Sequence, residues 1–259
     1  MKKSSQPTAI VTGAARGIGR GVAARLLAAG WNVVVADVLV REGRIAVAAL
    51  NQHAPAGGRA LFVTCNVAEE KAVVALVTRT VAEFGRLDGV VNNAGLANPH
   101  NGPVEKLAVA KWQQMLAVNL TGPFLVAKHA VKFLRRAPGG GAILNISSTR
   151  AFQAEPDTEA YGVTKAGLLG LTRGLAISLG PKIRVNAICP GWIDTRPAAE
   201  SARAARRENH AQHPVGRVGH PEDIAEMALF LLEGHRSGFV TGQTFVCDGG
   251  MTVKMIYEE

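Results

Sequence analysis

The run Thr8-Ala-Ile-Val-Thr12 passes without a break into Gly13-Ala-Ala-Arg-Gly17-Ile-Gly19 and then into a helical pattern from Val22 to Ala29. No other segment constrains the fold as much. A strand that turns on glycines into a helix opens a βαβ unit. The glycines let backbone approach a pyrophosphate, and the helix amino terminus offers unpaired N–H groups and a partial positive charge. The spacing here is G-x-x-x-G-x-G rather than G-x-G-x-x-G, and a glycine turn alone serves structural ends equally well. A second apolar run, Asn32 to Ala36, ends in Asp37. That is about the distance past the glycines at which an acid meets a ribose 2′-hydroxyl.

The rest of the chain continues the alternation. Ala60–Thr64, Gly89–Asn92, Ala142–Ile146, Ile183–Ile188 and Thr244–Cys247 read as further strands. Helical patterns intervene at 41–52, 69–84, 108–136 (interrupted near Gly122-Pro123), 159–179 and 221–233. Right-handed crossovers make this a Rossmann-type α/β fold, a doubly wound parallel sheet of about seven strands with helices on both faces. No linker composition or repeat divides the 259 residues, so residues 1–259 are expected to form one catalytic domain. The unpatterned basic stretch Pro197–His213 has a length that is usually functional or disordered, and the family resemblance carried by the motifs below implies a substrate lid over about 192–215.

The chemistry concentrates in Tyr161-Gly-Val-Thr-Lys165, which lies thirteen residues beyond Ser148. Residues four apart on a helix are neighbours. A nearby cation favours a phenolate, so Tyr161 is a candidate proton carrier. The only other tyrosine is Tyr257.

Together these segments resemble the short-chain dehydrogenase/reductase family over nearly the whole chain. The resemblance is carried by T-G-A-A-R-G-I-G at 12–19, Asn92-Asn-Ala-Gly95, Asn119, Ser148, Tyr161 with Lys165, Pro190-Gly191, Thr195 and Asp248-Gly-Gly250. It implies that Tyr161 exchanges the substrate proton while Ser148 holds the reacting oxygen. Lys165 would lower the tyrosine pKa and hold the nicotinamide ribose, and Asn119 would position a water that passes protons to Lys165. Cofactor contacts are implied for Gly13, Arg16, Gly17, Ile18, Gly19, Asp37, Asn66, Val67, Asn93, Ala94, Gly95, Tyr161, Lys165, Pro190, Gly191, Ile193 and Thr195. Ser147 competes with Ser148, but the interval to Tyr161 matches Ser148. Asn119 also suits a helix kink, and Asn92 and Asn93 suit a structural role at the sheet end.

Asp37 would accept hydrogen bonds from an unphosphorylated ribose and repel a 2′-phosphate, whereas Arg16 suits NADP. With Val38 next, NAD is expected over NADP. Asn66-Val67 stands where the family usually has Asp-Val, and the asparagine carbonyl can still accept from adenine.

Between Ser148 and Tyr161 lie Arg150, Gln153, Glu155, Asp157, Thr158 and Glu159, which favours a small polar alcohol or ketone such as a sugar or polyol. The alternative is a 3-oxoacyl carrier-protein reductase, with Arg136 and Lys182 meeting an acidic acyl carrier protein. A remote third is a non-catalytic dinucleotide sensor. The family implies a homotetramer through the outer faces of 108–136 and 159–179.

Composition removes other classes. The net charge of +9 includes a stripe of Lys128, Lys132, Arg135 and Arg136 and a cluster of Arg196, Arg203, Arg206 and Arg207. Aromatics are 5% of residues, too few to interleave with either group as a base-stacking surface, so no nucleic acid is expected. No apolar run suits a membrane span and no signal segment precedes the first strand, so a cytoplasmic protein is expected. Cys65, Cys189 and Cys247 lack metal or redox spacing and read as buried thiols. No metal is expected.

Overall fold

The computed structural model describes residues 4–54, 57–196 and 207–255. Seven strands form one parallel sheet in the order 3-2-1-4-5-6-7. They are β1 (Thr8–Thr12), β2 (Asn32–Asp37), β3 (Ala60–Thr64), β4 (Gly89–Asn92), β5 (Gly141–Ile146), β6 (Ile183–Pro190) and β7 (Thr244–Cys247). The helices are α1 (Gly17–Ala28), α2 (Val40–Gln52), α3 (Glu70–Phe84), α4 (Val109–Leu116), α5 (Gly122–Leu134), α6 (Glu159–Leu179), the short α7 (Arg207–Ala211), α8 (Pro221–Leu232) and the single turn α9 (Gly234–Ser237).

Buried parallel strands are apolar on both faces, and alternate residues supply two separate cores. Ala9, Val11, Val33 and Val35 pack with Val22 and Leu26 of α1 and Ile224 and Leu229 of α8. Ile10, Val34, Val90 and Ile143 face the other way, onto Val73 and Leu76 of α3, Val126 and Ala130 of α5, and Leu179 of α6. The strand order reverses beside β1, whose neighbours are β2 and β4, so their carboxyl ends border the ligand crevice of such folds.

Two expectations are corrected. The helical stretch from 109 to 134 is not broken at Gly122-Pro123. A π-helical turn, Ala117–Thr121, links α4 to α5 in the turn before the proline. Proline cannot donate to the carbonyl four residues back and its ring collides with it, and a widened turn accommodates both. Strand β6 extends two residues past the apolar run because Cys189 and Pro190 pair with Val246 and Cys247 of β7. Cys65 and Cys189 are buried as expected, while Cys247 is only half-buried.

Within the proposed lid, Pro197–Glu200 and residues 201–206, including Arg203 and Arg206, lie outside the described residues. Tyr257 does too. The described flanks are ordered against the body: Val215 N donates to Gly249 O, and Ile193 bridges to Gly219.

Candidate active site

Four hydrogen bonds tie the glycine turn to the segment that follows β4. Thr12 Oγ1 accepts from the backbone N–H groups of Asn93 and Ala94, both at 3.0 Å. Asn93 Nδ2 returns donors to the carbonyls of Thr12 and Gly13, both at 2.9 Å. The fit is close enough to require glycine: a Cβ on Gly19 would stand 2.4 Å from Gly13 O and 2.5 Å from Asn93 Nδ2. Gly13 has φ +63°, and a Cβ there would meet Ala94 Cα at 2.7 Å.

Helix α1 begins at Gly17 with Arg16 as its cap residue. It has no side-chain cap and no acid in its first turn. Its first N–H groups and its positive dipole end therefore lack an internal partner, which suits an anionic phosphate. Thr195 Cγ2 lies 3.2 Å from where a Gly17 Cβ would stand, so the segment after β6 returns over this turn. Gly191 is pressed against Asp248, whose carboxylate accepts from the N–H groups of Gly250 and Thr252 at 2.8 and 2.7 Å.

At the end of β2, Asp37 is buried and accepts from Ala15 N and Leu39 N, both at 3.0 Å. Each oxygen keeps acceptor capacity. Arg16 and Val38 are exposed. Asn66 Oδ1 accepts from Ala68 N at 3.1 Å, and its amide donates to Glu69 at 2.8 Å. Val67 is buried against Gly122, and Pro190 is buried at the end of β6. These groups surround one crevice with a backbone donor set at one end and an acid at the other, a fit for a nicotinamide dinucleotide.

The reacting groups sit at the ends of β5 and on α6. Ser147 and Ser148 separate cleanly, because successive strand residues point to opposite sides. Ser147 Oγ donates to Lys165 O at 2.7 Å and so holds the helix. Ser148 Oγ accepts from Arg150 N at 3.1 Å, and Ser148 pulls the Tyr161 phenol toward ionisation. Since that acceptance occupies a lone pair, the Ser148 proton remains available to the phenol side.

Lys165 is 6% exposed and donates from Nζ to Ile146 O at 2.9 Å. Its ammonium lies 5.5 Å from the centre of the Tyr161 ring. Burial lowers the Lys165 pKa to about 8, with Cys189 opposing the fall. Tyr161 departs from the expectation of a lowered value. Burial raises it, outweighing the opposing pull of its Ser148 hydrogen bond and the Arg150 charge.

Asn119 lies in the π-helical turn, and both ends of its side-chain amide are engaged. It accepts from Leu96 N at 2.7 Å and donates toward Leu96 O, Thr164 Oγ1 and Met115 Sδ. A Cβ on Gly95 would lie 3.3 Å from Asn119 Oδ1 and 3.8 Å from Lys165 Nζ, so these three groups meet. The side chain thus fixes the loop after β4, while Thr164 and Leu96, which no local sequence pattern singles out, complete its setting. Asn92 has the structural role open to it, donating to Asn145 Oδ1 at 2.9 Å.

A family model described as enoyl-(acyl carrier protein) reductase matches residues 13–252. The chain is 41% identical, over 96% of its length and 97% of the relative's, to a cis-4-hydroxycyclohexanecarboxylate dehydrogenase of Sinomonas cyclohexanicum. The chain belongs to the short-chain dehydrogenase/reductase family. It is also 36% identical to a 2,5-dichloro-2,5-cyclohexadiene-1,4-diol dehydrogenase of Sphingobium indicum, over 97% of this chain and 99% of that one. A solved short-chain dehydrogenase/reductase from Mycobacterium ulcerans superposes with a TM-score of 0.88 at 34% identity, over 98% of this chain and 92% of that one. Membership makes this protein an oxidoreductase and implies a nicotinamide cofactor. Among the described residues no helix is long and apolar enough to cross a membrane.

Proposed function

We propose that this enzyme transfers a hydride between NAD and a small polar secondary alcohol or its ketone, of the sugar, polyol or ring-alcohol kind. The cofactor choice rests on Asp37, whose carboxylate is pinned at the end of β2 by Ala15 N and Leu39 N with exposed Val38 beside it. A 2′-phosphate would face that charge in a partly dry site. The substrate class is supported by a polar wall in which Arg150 pairs with Glu155 and His100 lies 3.5 Å from the same carboxylate. The two relatives named for alcohols on six-membered rings agree with it.

The nicotinamide supplies or receives the hydride. Tyr161 passes the proton to or from the substrate oxygen, and Ser148 holds that oxygen within reach. Lys165 holds the nicotinamide ribose, and Asn119 holds the loop through Leu96 that closes beside it. Gly13, Gly17, Ile18 and Gly19 receive the pyrophosphate, Asn66 and Val67 the adenine, and Asn93 to Gly95, Pro190, Gly191, Ile193 and Thr195 the nicotinamide side. Residues 1–259 act as one catalytic domain, with 192–215 as its lid.

The deciding experiment assays a panel of alcohols and ketones with both cofactors by nicotinamide absorbance. We expect kcat/KM to favour NAD by at least about tenfold, or about 1.4 kcal/mol. Asp37→Ser should erode that preference chiefly by improving NADP, with Arg16 then available to the phosphate. A wild-type preference for NADP would overturn the assignment. It would raise the 3-oxoacyl carrier-protein reductase, for which exposed Arg136 and Lys182 are the docking cations.

The enzyme assembles as a homotetramer. Val109 and Phe124 on α4 and α5, and Val163 and Ile177 on α6, are exposed apolar residues on the helices assigned to the contact.

A further inference from the structure

Thr164 is buried on α6, next to Lys165 and one turn from Tyr161. Thr164 Oγ1 donates to Tyr161 O at 2.8 Å. A hydroxyl has one proton and a carbonyl can only accept, so that bond commits the proton and leaves the threonine oxygen an acceptor. It accepts from Asn119 Nδ2 at 3.3 Å, and Met115 Sδ, a second acceptor, lies 3.1 Å from the same nitrogen. Only the donating end of the Asn119 amide therefore fits against α6. Its carbonyl end is turned to the loop after β4, where Oδ1 accepts from Leu96 N at 2.7 Å. The reversed amide would set two donors face to face at Leu96 and two acceptors face to face at Thr164.

We propose that Thr164 is a positioning residue for the cofactor pocket: its committed hydroxyl proton fixes which way Asn119 faces, and Asn119 then holds Leu96 and the Asn93–Gly95 loop at their distance from α6. The proposal rests on the nicotinamide-side role given to that loop above.

The join lies where the loop comes nearest the reacting groups, since a Cβ on Gly95 would stand 3.3 Å from Asn119 Oδ1 and 3.8 Å from Lys165 Nζ. Asn119 is 1% exposed and Thr164 is fully buried, so water does not compete for either bond. The same device recurs further along α6. Thr172 Oγ1 donates to Leu168 O at 2.8 Å and accepts from Asn145 Nδ2 at 2.9 Å, which leaves Asn145 Oδ1 to accept from Asn92 Nδ2 at 2.9 Å. Thr172 thus orders two strands of the sheet, and Thr164 orders the edge of the crevice. From the end of β5, Ser147 Oγ donates to Lys165 O at 2.7 Å, so the helix is tied to the sheet independently of Thr164. Loss of the Thr164 hydroxyl therefore releases the loop rather than the helix.

The test is backbone amide hydrogen exchange, followed by NMR on the full-length protein without substrate, in Thr164→Val. The Leu96 amide should exchange about tenfold faster, while those of Asn93 and Ala94, held by Thr12 Oγ1, should keep their wild-type rates. Thr164→Ser, which keeps the hydroxyl, should restore Leu96. Titration with NAD should show an affinity several-fold weaker in Thr164→Val and close to wild type in Thr164→Ser. An unchanged Leu96 rate, an equal rise at all three amides, or a serine variant that behaves as the valine one overturns the proposal. So does a wild-type NAD affinity once Leu96 is released. If Thr164→Val does not fold, Thr164→Ala carries the same expectations and is judged by the same outcomes. The exchange pattern needs no cofactor: a wild-type protein that binds neither nicotinamide dinucleotide would count against the proposed function, while the exchange pattern still decides the role of Thr164.

Discussion

The dinucleotide side and the substrate side of this crevice are built from different materials. Around Gly13–Gly19 two short side chains are locked onto main chain: Thr12 Oγ1 accepts from Asn93 N and Ala94 N, Asn93 Nδ2 donates to Thr12 O and Gly13 O, and Gly13 and Gly19 leave no room for a methyl. Across the crevice, the wall from Arg150 to Glu155 relies on side chains that reach from loops, with the Arg150–Glu155 ion pair and His100 beside it forming a partly exposed polar cluster. Exposed ion pairs are individually weak and tolerate exchange, whereas a closely packed backbone crossing does not. One side is therefore suited to a constant ligand and the other to a variable one. Between them stand Ser148, Tyr161 and Lys165, which serve both.

The largest effect should come from that shared centre. Tyr161→Phe deletes a proton carrier and little contact surface, so kcat should fall by about 10²-fold or more, while NAD affinity stays within a few-fold. Steady-state kinetics with isothermal titration of NAD separates the two. Retention of more than about a tenth of wild-type kcat would remove Tyr161 from the chemistry.

The next effect tests the rigid side. Gly19→Ala places a methyl 2.4 Å from Gly13 O and 2.5 Å from Asn93 Nδ2, within the crossing that holds the turn. Overpacking of this kind costs about 1–3 kcal/mol, and here it should also displace the donors offered to the pyrophosphate. Chemical denaturation should show the lower midpoint, and dinucleotide affinity should fall with it. A stable variant with wild-type affinity would show that the turn is as adaptable as the opposite wall, and the contrast would fail.

What the sequence revealed divides along the same line. Strands β1 and β4 begin and end where their apolar patterns do, because a buried parallel strand is a continuous apolar run and needs no distant information, and the partly buried edge strands β3 and β7 and helix α6 keep the bounds of their patterns too. The crevice was legible too, since ordered motifs at strand ends converge once the strands are parallel. Three things were not legible. The widened turn at Ala117–Thr121 answers to Pro123 through a carbonyl clash, and a linear pattern marks the proline rather than the turn that yields to it. The hydrogen-bond setting of Asn119 depends on Leu96, Met115 and Thr164, which come from three different segments. The influence of Arg150 on Tyr161 depends on where a long side chain comes to rest, and ten residues of loop and helix intervene in sequence.

The smallest expected effect tests the outer face of α6, where Val163, Gly170, Gly174 and Ile177 fall on one side at helical spacing. A Cβ on Gly170 or Gly174 would meet nothing within 4 Å in the single chain. In a helix face surrounded by water, Gly174→Ala should stabilise by about 0.5–1 kcal/mol, because alanine gives up less backbone entropy than glycine on folding. If the face meets a second copy, the methyl instead separates two helices that glycine allows to approach, and the two effects offset. The tetramer proposed above requires the second outcome: little change in Tm, with the assembly dissociating at a several-fold higher protein concentration by light scattering. A clear rise in Tm with assembly unchanged would take this face of α6 out of the subunit contact. A monomer at micromolar concentration in the wild type would remove the tetramer altogether.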